Sequence, residues 1–156
     1  MSEVSDRART SALRLLKVRP RSESELRQRL TRKGFSPATV DGIIEEFKRK
    51  GLLDDAKVAR FLAVQTLTMK PLGKRGLEHT LKSKGIPPDL VSQAVEEATA
   101  GTDQFQTARD LAQQRMSALK GLDRSAVERR LFGFLSRRGF SSDLIYKVVR
   151  ETVRPS

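Results

Sequence analysis

With 156 residues and 31 Lys and Arg against 19 Asp and Glu, the chain carries a formal charge of +12, which favours a polyanionic partner such as nucleic acid, or an acidic protein surface. Hydrophobic residues are 37% and aromatics 5%, which excludes one large core and points to small units with thin cores. The lack of cysteine excludes a disulfide framework and a thiolate metal site, and no window approaches the ~18 apolar residues of a membrane span.

The first predicted helix, 7 to 18, carries Leu13, Leu16 and Val18 and stops before Pro20, because a residue preceding proline is pushed out of the α region. Ser22-Glu23-Ser24-Glu25 then fits a capping box that starts a second helix, 23 to 33, with Leu26 and Leu30 facing inward. Gly34 ends it as a left-handed cap, and Ser36-Pro37 restarts the chain into a third helix, 37 to 50, striped by Val40, Ile43, Ile44 and Phe47. Asp54 or Asp55 caps a fourth, 54 to 69, bearing Val58, Phe61, Leu62 and Gln65. After the break at Pro71-Leu72-Gly73 come helices over 73 to 84 and 87 to 99. Helices over 103 to 119, 124 to 138 and 142 to 153 follow, with breaks at Lys120-Gly121 and after Gly139. Period-2 alternation is absent, so the expected class is all-α.

One cadence occurs three times: Leu30 to Phe35, Leu81 to Ile86, and Leu135 to Phe140, each with a basic pair or a lysine before its glycine. The glycines lie 51 and 54 residues apart, room for about three helices each. Val40 and Ile44, Val91 and Val95, and Ile145 and Val149 stand six and ten residues past their glycines, so the register holds. Three tandem three-helix repeats, 1–51, 52–101 and 102–156, stacked as an elongated, curved array, are expected. Charge is concentrated in the outer two. Residues 1–50 carry 13 basic and 7 acidic side chains, 51–100 carry 7 and 6, and 101–156 carry 11 and 6.

The second helix of each repeat gathers cations: Arg27, Arg29, Arg32 and Lys33; Lys74, Arg75, Lys82 and Lys84; Arg129, Arg130, Arg137 and Arg138. Near a helix C-terminus such residues also complement the macrodipole, but a solvated face needs no excess of one sign, whereas phosphate binding does. A helix-turn-helix reading competes weakly. The third helices open on Pro37-Ala38-Thr39, Pro87-Pro88-Asp89 and Ser142-Asp143-Leu144, which lack the Asn, Gln or Arg of direct base readout. Asp54-Asp55, Glu45-Glu46 and Glu96-Glu97 diverge by about 100° on a helix and suit capping and solvation, not catalysis. His79, the only histidine, lies opposite Leu77 and Leu81 with no partner for a metal or a dyad. Phosphate-loop and dinucleotide glycine motifs are missing, and Tyr146 and the seven phenylalanines fall mostly at core spacing rather than forming a stacking platform. No cofactor, no metal and no enzymatic activity are expected.

Arg21 to Phe35, Arg21-Ser22-Glu23-Ser24-Glu25-Leu26-Arg27-Gln28-Arg29-Leu30-Thr31-Arg32-Lys33-Gly34-Phe35, closely resembles the opening motif of the RecX family, bacterial regulators of the RecA recombinase. Gly51 to Asp55 with Ala59 and Phe61-Leu62 resembles its second block, and Phe134 to Phe140 its closing one, so the likeness spans about residues 8 to 153. The middle repeat departs from the family pattern at Thr80 and at Pro71-Leu72-Gly73. The resemblance implies an all-α array of three three-helix units, without catalytic activity, that lodges in the groove of a RecA filament on single-stranded DNA and restrains its assembly, ATP hydrolysis and strand exchange; a monomer is expected. Partners are then the RecA filament and single- or double-stranded DNA through phosphates, with no membrane, in the cytoplasm. An architectural protein that binds nucleic acid without RecA is the competing expectation.

Overall fold

Small polar residues start the helices of this chain. In the computed structural model, which describes residues 2–153, nine α-helices follow one another: α1 (Glu3–Val18), α2 (Glu23–Arg32), α3 (Pro37–Arg49), α4 (Asp55–Met69), α5 (Lys74–Ser83), α6 (Pro88–Thr99), α7 (Gln104–Met116), α8 (Arg124–Arg137) and α9 (Ser142–Thr152). Among the described residues there is no strand. Ser22, Ser36, Asp123 and Ser141 each accept a bond from the backbone N–H three residues on, at 3.1, 3.2, 2.8 and 3.4 Å. Asp54, rather than Asp55, caps α4, accepting from the N–H groups of Ala56 and Lys57.

The recurring leucine-to-glycine cadence is a helix ending. The N–H groups of Phe35, Ile86 and Phe140 donate to the carbonyls of Leu30, Leu81 and Leu135 at 3.3, 3.4 and 3.3 Å. Gly34, Gly85 and Gly139 hold φ at 95°, 82° and 89°. This is the Schellman arrangement, in which only glycine turns the chain at no Cβ cost and an apolar residue closes over the last turn. All three leucines are buried at 0% exposure.

By packing the chain divides into two compact units, Met1–Leu62 with Leu81–Ala94, and Ala63–Thr80 with Val95–Ser156. In the first, α1, α2 and α3 pack on one another around Leu26, Leu30, Val40, Ile43, Ile44 and Phe47. In the second, α7, α8 and α9 enclose Leu111, Leu131, Leu135, Ile145 and Val148. The positions six and ten residues past each repeat glycine are all buried.

Three details differ from the sequence reading. Helix α1 begins at Glu3, four residues early, because Ser2 caps it by accepting from Ser5 N–H. It buries Ala8 and Ala12, while Leu13 and Val18 are exposed and Leu16 is half-buried. Helix α4 likewise buries Val58, Ala59 and Ala63 and leaves Phe61 exposed. Alanine at such positions lets two helix backbones approach closely, which a leucine stripe would prevent. The seventh predicted helix tightens into a 3₁₀ turn at Ser117–Leu119.

Candidate functional site

The predicted cations fall into those already engaged and those left free. In the first unit Arg27, on α2, pairs with Asp41 of α3 and with Glu23 one turn back. The Asp41 bond holds the Arg27 guanidinium above its usual range, against an opposing effect of burial. Arg29, Arg32 and Lys33 project from the last turn of α2 exposed and, among the described residues, without an ion pair. Arg21, not among the predicted site residues, is buried: its Nε donates to Leu15 carbonyl oxygen at 2.9 Å and Nη1 faces Glu25 at 3.4 Å. Burial pushes the Glu25 carboxyl up, but Arg19 and Arg21 outweigh it and the net shift is downward. Glu25 therefore faces these arginines instead of completing the capping box.

The start of α2 is closed by other parts of the same unit. Ser22 Oγ donates to the Lys84 carbonyl at 3.1 Å, and Asp55 accepts from Glu23 N–H at 2.8 Å. Gly85 sits so near Ser24 that a Cβ there would stand 2.6 Å from its side chain. Beside this junction a groove of about 560 Å³ runs along Ser24, Arg27, Gln28, Lys82 and Lys84, and neither lysine has an ion pair among the described residues.

A second junction of the same kind lies in the other unit. Gly73 N–H donates to the Arg138 carbonyl at 2.8 Å and Arg75 N–H to that of Gly139 at 3.2 Å. A Cβ on Gly76 would stand 2.5 Å from the Arg138 oxygen, and one on Gly139 would collide with the Gly76 backbone. Arg138 Nη1 donates to the Pro71 carbonyl at 2.9 Å, and its guanidinium lies 5.0 Å from the Phe134 ring centroid. Arg138 thus holds the joint. Lys74 pairs with Glu96 at 3.3 Å, whereas Arg75 is exposed and, among the described residues, has no ion pair.

The densest free charge lies between α7, the 3₁₀ turn and α8. A concavity of about 390 Å³ is lined by Arg115, Arg129, Arg130 and Arg137 around a floor that includes Ala126 and Gly133, with no carboxylate among the described residues of its lining. The spacing explains it: Ala126, Arg130, Gly133 and Arg137 recur at three and four residues and share one face of α8. Gly133 leaves room for the Arg137 guanidinium, whose Nη1 lies 3.2 Å from where a Cβ would stand. Arg115 also rests 5.0 Å over Phe134. Four guanidiniums without a counter-charge repel one another unless an anion joins them, and their forked donors suit phosphate oxygens. Sequence reading found three of the four. It missed Arg115, which lies one helix earlier and reaches this face only through the α7 to α8 turn.

The arrangement offers a surface of exposed cationic hydrogen-bond donors. Among the described residues no group of three His, Asp or Glu could hold a metal ion, His79 is exposed, and no helix is long and apolar enough to cross a membrane.

Comparison with known proteins gives one consistent result. The family model for the first three-helix domain of RecX matches residues 8–47, and that for the third three-helix domain matches 102–149. Regulatory protein RecX of Amycolatopsis mediterranei (strain U-32) is 36% identical over 140 residues, 90% of this chain and 79% of the relative. Regulatory protein RecX of Thermobifida fusca (strain YX) is 33% identical over 145 residues, 93% of this chain and 78% of the relative. The crystal structure of RecX from Lactobacillus salivarius superposes with a TM-score of 0.83 at 19% identity, covering 97% of this chain and 98% of that one, a likeness of fold. These relatives are named as regulatory proteins, not as enzymes.

Proposed function

Because the chain belongs to the RecX family of regulatory proteins, we propose that it binds the RecA filament on DNA as a monomer in the cytoplasm and restrains the recombinase by occupancy. The observation that supports this reading is the set of exposed cations without ion pairs among the described residues: Arg29, Arg32 and Lys33 on and after α2, Arg75, Lys82 and Lys84 on and after α5, and the four-arginine concavity beside α8. Structural ion pairs have absorbed Arg27 and Lys74, and Arg138 is committed to its joint. What remains is surplus charge, which phosphate or acidic RecA side chains satisfy.

The test compares bare single-stranded DNA with the same DNA coated by RecA, using wild type and an Arg130→Ala, Arg137→Ala double variant. Tighter binding to the coated strand, a fall in RecA ATP hydrolysis on addition of wild type, and loss of both effects in the double variant are expected. Its thermal unfolding should match wild type, since exposed charges contribute little to stability. Equal affinity for coated and bare strands, with no effect on ATP hydrolysis, would favour an architectural nucleic-acid-binding protein instead.

A further inference from the structure

Tyr146 is a large ring that the core does not use. It is 59% exposed on α9, while Ile145, Val148 and Val149 supply the buried face of that helix. Its ring lies 5.0 Å from that of Phe132 on α8, tilted by 53°. Phe132 is itself only partly buried, packed against the edge of the same core. This pair fixes the tyrosine ring at the surface, so little rotamer freedom is left to lose when something flat lies against it.

The neighbours point to the kind of partner. Arg150, four residues on, shares the outer face of α9 with Tyr146 and Lys147, and neither cation has an ion pair among the described residues; Asp143 is the acid on that face. On α8, Arg129 lies between Phe132 and the arginine-lined concavity, three residues before the one and within the lining of the other. An exposed aromatic step is thereby bordered on both helices by cations. This combination of a stacking surface and phosphate-binding charge is the one that single-stranded nucleic acid requires. In a duplex the bases are paired and stacked on each other and offer no free face.

We propose that the Phe132–Tyr146 step is a stacking platform for an unpaired base of single-stranded DNA, whose adjoining phosphates lie against Arg129 and Arg150. The proposal rests on the nucleic-acid reading above and sharpens it, since the cations alone do not distinguish one strand from two. It also revises the placement of Tyr146 at core spacing.

The chain contains one tyrosine and no tryptophan, so its intrinsic emission reports on Tyr146 alone. The full-length protein is titrated with a labelled oligothymidylate and with a duplex of equal length, following label anisotropy and tyrosine emission together. Quenching that tracks binding of the single strand, and its absence with duplex, is expected. Tyr146→Ala should weaken single-strand binding by roughly fivefold or more while Tyr146→Phe retains it, both with wild-type thermal unfolding. Binding of the oligomer with unchanged emission, or equal loss of single- and double-strand affinity in Tyr146→Ala, would overturn the platform and leave the cationic reading standing. Should bare oligomer not bind at all, the platform is again overturned, and the cationic reading is then decided separately on the RecA-coated strand. Loss of filament binding in Tyr146→Ala with unaltered affinity for bare single strands would assign the ring to a protein contact instead.

Discussion

Leu81 shows how much rests on single side chains when cores are thin. It has no exposed surface, and its carbonyl receives the closing bond from Ile86 N–H, so its side chain and backbone end α5 together. Leu81→Ala should cost about 2 to 5 kcal/mol, the range for an aliphatic side chain deleted from a packed site, and an unaltered urea midpoint would refute that. Glu46 carries a different kind of load. It accepts from Arg9 Nε and Nη2 at 2.9 Å each, joining α3 to α1, and the bonds from Arg9 bring its carboxyl down to about 2. A carboxyl depressed in the folded state stabilises above its ordinary pKa and loses that contribution as pH falls toward the depressed one. Glu46→Gln should therefore melt lower than wild type at neutral pH, with the gap narrowing as pH drops from about 4.5 to about 2. A gap constant across that range would show that the charge is not responsible. Such positions differ in legibility. Leu30, Leu81 and Leu135 stand at a fixed offset from a glycine and could be read directly, whereas Ala8, Ala12, Ala59 and Ala63 have too little apolar character to stand out from a leucine or phenylalanine nearby.

At the level of the helix, starts and stops were the readable part, because capping is local chemistry: a Ser or Asp side chain meets amides within three residues, and glycine alone turns the end cheaply. The joints between helix ends were not readable. Gly73 and Gly76 look like a loop break and a weak helix position, and only the folded chain shows them pressed against Arg138 and Gly139. Glycine there is kept for close backbone approach and not for flexibility. Gly76→Ala should accordingly destabilise, as its methyl would meet a backbone oxygen that no rotamer change can move. Gly42→Ala, in α3 with nothing within 4 Å of the new methyl, should stabilise by about 0.5 to 1 kcal/mol. Paired melting curves of the two variants check both, and a stabilised Gly76→Ala would mean that the joint yields easily.

For the molecule as a whole, net charge indicated a polyanionic partner but could not say which cations were available for it. Three of the twelve named from sequence are spoken for by Asp41, Glu96 and the Pro71 carbonyl, contacts made by residues 14, 22 and 67 positions away in the chain. On the proposed reading the free ones act through the counterions they displace. Affinity for single-stranded DNA should fall with rising salt, and the Arg130→Ala, Arg137→Ala variant should show a log-log slope shallower by about 0.7 for each phosphate it no longer neutralises. Parallel salt dependences for the two proteins would remove these arginines from the interface.

The polypeptide passes between the two compact units three times, at 62/63, 80/81 and 94/95. Neither unit is a continuous stretch of sequence. A truncation after Gly101 strips the second unit of everything from Thr102 onward, while a fragment beginning at Thr102 lacks residues 63–80 and 95–101, which belong to the same unit. The molecule is therefore laced rather than strung: each unit includes chain that returns to it from the other, so no single cut of the polypeptide releases both units whole.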